Sequence, residues 1–89
     1  MRVRVLFFGQ VKEVVGKAEE AIEVAGGADL KRLFELYTER YPALAGLGRS
    51  MAMARNQHLA GASTPLADGD EIAFLPPGSG GCGRTPRLG

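Results

Sequence analysis

The stretch that decides the fold is "ADLKRLFELYTERYP", residues 28–42. Leu30, Leu33, Phe34, Tyr37 and Tyr41 recur at i, i+3, i+4, i+7 and i+11, which places them on one stripe of a helix. Asp29 precedes the stripe in N-cap position, and Pro42 prevents the helix from continuing. An aromatic-rich stripe at helical spacing reads as core rather than as a cofactor site. One strongly amphipathic helix needs an apolar sheet to cover it.

Strands flank it on both sides. Residues 2–8 alternate, with Val3, Val5 and Phe7 on one face and Arg2, Arg4, Leu6 and Phe8 on the other. Gly9 breaks this strand, and "QVKEVVG" forms one or two helical turns ending at Gly16. A second strand runs through Ala21, Ile22 and Val24 until Gly26-Gly27 stops it. Beyond the helix, Met51 and Met53 alternate with alanines, Asn56-Gln57 makes a turn, and His58-Leu59-Ala60 is a short strand. Asp68-Gly69-Asp70 is turn chemistry, and Ile72 and Phe74 alternate with Ala73 and Leu75 in a last strand that Pro76-Pro77 ends. The expected architecture is α+β: a ubiquitin-like β-grasp roll, a mixed sheet packed on one main helix. Its core is Val3, Val5, Phe7, Leu30, Leu33, Phe34, Tyr37, Ile72 and Phe74. Residues 1–81 form the one domain, and residues 82–89 are expected to be a disordered extension, trimmed or artefactual.

The 89 residues are 45% hydrophobic, ordinary for one small globular domain. A net charge of +1 makes no electrostatic case for nucleic acid or an anionic membrane. Without residues 82–89, which carry Arg84 and Arg87, nine basic residues face ten acidic ones, a net of −1. The single cysteine forms no internal disulfide, and no run of about 18 apolar residues suits a membrane span. The expected location is the cytoplasm.

Independent catalysis has little to draw on. His58 is the sole histidine and Cys82 the sole cysteine, the latter in a glycine-flanked tail unsuited to a rigid Cys-His pair. Metal-ligand spacing is lacking, and no phosphate-cradling glycine loop precedes a helix. Asp68, Asp70 and Glu71 crowd one turn, where solvation explains them better than acid-base work. The distinctive feature is the end, "EIAFLPPGSGG", residues 71–81: a strand, two prolines and four side-chain-poor residues. From Pro77 to Gly81 such a segment extends roughly 13–14 Å. Glycine at its tip lets another protein's active site close around the backbone carbonyl.

"VRVLFFGQVKEVVG" at residues 3–16, "NQ" at 56–57 and "PLADGDEIAFLPPGSGG" at 65–81 resemble the small-subunit family of molybdopterin synthase. Its relatives are the β-grasp sulfur carriers of thiamine and thiolated-tRNA synthesis. The resemblance covers residues 2–81. It implies a carrier that is not catalytic alone and holds no permanent cofactor; the ATP and Mg²⁺ belong to a ubiquitin-activating-type adenylyltransferase. The Gly81 carboxylate would be adenylated and then converted to a thiocarboxylate, with Gly80 giving clearance. The synthase large subunit would accept that sulfur in a heterotetramer, for transfer to cyclic pyranopterin monophosphate. Leu6, Phe8, Ala73 and Leu75, with Pro76 and Pro77, would form the docking patch. The family pattern ends at the second glycine, whereas "CGRTPRLG" follows here, so a trimming protease is a further expected partner. A sulfur carrier for another product, and a ubiquitin-like modifier forming isopeptide bonds through Gly81, are the alternative functions.

Overall fold

The computed structural model describes residues 1–48 and 50–76. The elements in chain order are β1 (Arg2–Phe7), α1 (Gly9–Val15), β2 (Glu19–Glu23), α2 (Leu30–Arg40), a 3-10 helix (Pro42–Leu47), β3 (Ala52–Arg55), β4 (His58–Ala60) and β5 (Glu71–Leu75). The strands form one sheet in the order β2-β1-β5-β3-β4. β1 and β5 pair in parallel, with Val5 opposite Ile72 and Phe7 opposite Phe74, while the other pairings are antiparallel. First and last strands thus lie side by side in a mixed sheet beneath α2, the expected β-grasp roll.

Each element has a local cause. The Asp29 side chain accepts from the Arg32 N–H at 2.9 Å and caps α2. Pro42 ends the α-helix as expected, yet it also opens the 3-10 helix, where a missing N–H costs nothing. α1 closes on Gly16 at φ 87°, a left-handed cap. β1 is one residue shorter than its alternation suggested. Phe8 keeps an extended backbone but becomes the N-cap of α1, because Gly9 turns the chain at φ 52°.

Val3, Val5, Phe7, Leu30, Leu33, Tyr37, Ile72 and Phe74 are buried together, with Val11 and Leu44 added from α1 and the 3-10 helix. Phe34, expected in the core, is only half-buried: it packs edge-on against Phe74 at 5.6 Å and leaves its other side exposed. Phe74 is the hub, with Tyr37 also 5.6 Å away at 83°. The Tyr37 hydroxyl reaches out of this apolar layer and donates to Glu20 Oε2 at 2.5 Å, so α2 is tied to β2.

Burial of Asp70 departs from the expectation of a solvated turn. It is 6% exposed, and Oδ2 accepts from Arg55 Nε at 2.7 Å and the Ala67 N–H at 2.8 Å. Oδ1 accepts from Asn56 Nδ2 at 3.0 Å. The β3–β4 turn folds back over the start of β5, which takes this carboxylate out of water. Among the described residues no helix is long and apolar enough to cross a membrane.

Candidate functional site

Pro76, the last described residue before the tail, follows β5 out of the middle of the sheet. Pro77, Gly80, Gly81 and Cys82 lie outside the described residues. The exit is closely framed on the β1 side: a Cβ on Gly9 would stand 3.0 Å from Pro76 Cγ. A glycine at positive φ therefore serves twice, turning the chain into α1 and leaving room for the proline that starts the tail.

Alternation puts the expected docking residues on the face away from α2. Leu6 pairs with Ala73, one register step from the buried Phe7–Phe74 pair, and Leu75 follows two residues along. Leu6, Ala73, Leu75 and Pro76 are half-buried, and Phe8 is 45% exposed. Leu6, Ala73 and Leu75 thus lie together toward the Pro76 end of the sheet.

The face is wider than the sequence suggested. β3 pairs with β5 so that Ala54 lies opposite Ala73 and Ala52 opposite Leu75; β4 brings Leu59 opposite Ala54. Leu59 is 76% exposed, the most exposed large hydrophobic among the described residues. The alternation of "AMAR" and "HLA" carries the signal, but only the β3–β5 pairing tells which face joins the patch. A leucine this exposed beside small alanines makes an apolar platform, the kind of surface that marks a docking site. Charge borders it at the far end, where Arg4 and Glu71 pair across β1 and β5.

The rest of the chemistry is structural. His58 is exposed, and among the described residues no group of three or more His, Cys, Asp or Glu side chains could hold a metal ion. Burial disfavours charge on Asp70, but Arg55, the Ala67 N–H and Asn56 outweigh it and hold the carboxyl below its usual range. The Tyr37 phenol is pushed well above its usual range by burial first and by the Glu20 carboxylate second.

The sequence profile of the ThiS family matches residues 5–81, nearly all of the chain and the whole of the tail up to Gly81. The chain belongs to the ThiS family. It is 40% identical over 82 residues to the molybdopterin synthase sulfur carrier subunit of Mycobacterium tuberculosis (strain ATCC 25618 / H37Rv), covering 91% of this chain and 99% of that one. Among solved structures it resembles the complex of subunits 1 and 2 of the molybdopterin-converting factor from Helicobacter pylori 26695. There the TM-score is 0.64 at 36% identity, with 91% of this chain and 100% of that one covered. SAMP1 from Haloferax volcanii superposes with TM-score 0.77 at 26% identity, over 91% of this ThiS-family chain and 100% of its own.

Proposed function

We propose that this chain is the sulfur-carrier subunit of a molybdopterin synthase, and that Gly81 is the atom-bearing end of the carrier. The observation that carries this reading is the tail exit at Pro76, set in the middle of an apolar face of Leu6, Phe8, Ala73, Leu75 and Leu59. Such a layout suits a protein whose surface docks while its end is delivered into a partner. The similarity to named sulfur carrier subunits supplies the identity of the pathway.

The chemistry follows from the weakness of a carboxylate as an acyl donor. The Gly81 carboxylate oxygen attacks the α-phosphorus of ATP in an adenylyltransferase of the ubiquitin-activating type, and pyrophosphate leaves. Hydrosulfide, or a donor that releases sulfur at that oxidation level, adds to the acyl carbon and AMP leaves, so the terminus becomes a thiocarboxylate. The carrier then docks on the large subunit, where that sulfur attacks a carbon of cyclic pyranopterin monophosphate and displaces its oxygen substituent. Water then cleaves the acyl–sulfur bond, which leaves the sulfur on the pterin and returns Gly81 as a carboxylate. This chain contributes no acid or base to the transfer; its work is to hold, present and release. It needs no resident cofactor, and the cytoplasm, where nucleotide is at hand, is the setting.

In the 89-residue sequence Gly81 is amide-linked to Cys82, so loading requires hydrolysis of that bond by a protease. Intact mass of the chain isolated from its host tests the whole scheme. Loss of residues 82–89 and exchange of one terminal oxygen for sulfur are expected; a full-length, sulfur-free chain under molybdenum-cofactor demand would overturn it.

The likeness to SAMP1, small archaeal modifier protein 1, favours a second reading, a ubiquitin-like modifier. Its signature is Gly81 in isopeptide linkage to a lysine rather than a thiocarboxylate. A sulfur carrier for a different product would keep the thiocarboxylate but form no complex with a synthase large subunit.

A further inference from the structure

The two free edges of the sheet differ in character. β2 at one edge carries Glu19, Glu20 and Glu23, charges that discourage pairing with another strand. β4 at the other edge, "HLA", continues into Gly61 and Ala62 without a charged residue. Beside β4 runs a groove of about 510 Å³, with Gly48, Met51, Met53, Ala60 and Ala62 in its walls. No lining residue is charged. Ala52 also lines it and pairs with Leu75, so the groove starts one residue from the tail exit.

The groove is built rather than accidental. Gly48 lies under the Phe34 ring, where a Cβ would be 3.2 Å from Cε2. The Ala62 carbonyl accepts from the Lys31 N–H at 2.9 Å, and the Gly61 carbonyl from the Thr64 N–H at 3.0 Å, which anchors the outer wall to α2. Met51 and Met53 give the floor unbranched side chains that repack around different shapes. The edge itself is free at one defined residue. Arg55 and His58 flank a two-residue turn and so form a hydrogen-bonded pair, which makes Ala54–Leu59 the next, non-bonded pair. The Leu59 N–H and C=O therefore point away from β3, along the free edge of the sheet, and Leu59 itself lines the groove.

We propose that this groove takes an extended, uncharged segment of the synthase large subunit, paired as an added strand on β4 through Leu59. The proposal rests on the reading that the chain docks on that subunit. Three observations select the occupant: outward backbone groups call for an extended chain, the uncharged walls for apolar side chains, and Leu59 joins the groove to the docking face. Backbone pairing would give affinity here, and the methionine floor would admit the side chains.

The test uses the chain as isolated from its host, titrated into the large subunit. Ala62 is exposed, so Ala62→Lys leaves the free fold intact while placing a charge in the groove; affinity is expected to fall at least about tenfold. Leu59→Ala keeps the outward N–H and Leu59→Pro removes it without touching the β3 ladder. The proline variant is expected to bind roughly tenfold more weakly than the alanine variant. Hydrogen exchange at the Leu59 amide should slow at least about tenfold in the complex. Unchanged affinity of Ala62→Lys with an unprotected Leu59 amide overturns the proposal, while a loss on Phe8→Ala in the same assay keeps the docking face. No binding by the unaltered chain overturns both.

Discussion

At the scale of single residues, Asp70 and Tyr37 show how a small domain spends polar groups. Asp70 joins Arg55, Asn56 and the Ala67 N–H, so one carboxylate holds the turn before β5 and the turn after β3 together. Removing the charge by Asp70→Asn should cost about 2 kcal/mol, read from urea unfolding at pH 7, because charged hydrogen bonds are the stronger ones. Its folded pKa lies below its unfolded one, so its stabilisation is present above the unfolded value and is lost as pH falls through the folded value. Unfolding curves should therefore show the wild type weakening below about pH 4, and Asp70→Asn weakening less. Tyr37 has the opposite sign. Its phenol pKa is raised, so the Tyr37–Glu20 contribution is present below about pH 10 and is lost as pH climbs beyond. Tyr37→Phe should be about 1 kcal/mol less stable at neutral pH and should show less of this alkaline loss in the same titration. Gly9 is likewise constrained by one neighbour, since a Cβ there would stand 3.0 Å from Pro76 Cγ.

At the scale of elements, the β3–β4 hairpin does the most and is built at a cost. Its two turn residues, Asn56 and Gln57, both have positive φ, at 53° and 74°. Asparagine tolerates this region, and Asn56 is further fixed by its N–H to the Glu71 carbonyl at 2.7 Å and by accepting the Glu71 N–H at 3.0 Å. Gln57 has no such bond to β5 among the described residues. Gln57→Gly should raise stability by about 0.5–1 kcal/mol, measured as an upward shift in thermal midpoint. Hairpin position also carries Leu59 onto the outer face of the sheet. The helix α2 is simpler: cap, stripe and proline all act locally, and its residues 30, 33, 34 and 37 meet the sheet where periodicity put them. Phe34, like Tyr41 at the end of the stripe, is only partly buried; its ring packs edge-on against Phe74 and close over Gly48.

For the whole molecule, the parallel pairing of the first and last strands is the functional fact. It sets Leu6 beside Ala73 and Phe8 near Pro76, so on the proposed function docking and delivery would share one centre. Phe8→Ala should weaken binding to the large subunit about tenfold or more with an unchanged thermal midpoint, since the ring is exposed and supports no core contact. Calorimetric titration checks the first half and a melting curve the second. Equal affinity would detach the apolar face from docking.

Elements and candidate site were legible to different depths. Helix α2, the strands at either end and the Asn56-Gln57 turn rest on periods, caps and breakers that act within a few residues, and so they can be read along the chain. Asp70 could not be read so, because its burial depends on Arg55 and Asn56 arriving from fourteen or fifteen residues away. Leu59 was visible as one apolar residue in a short strand. Its membership of the apolar face came only with the β3–β5 register, which no local preference encodes. Strand alternation says which residues share a face; hydrogen-bonded pairing between distant strands decides which faces meet. Local sterics and hydrophobic period were thus sufficient for the elements, while the buried carboxylate, the width of the apolar face and the groove beside β4 arose when the sheet closed.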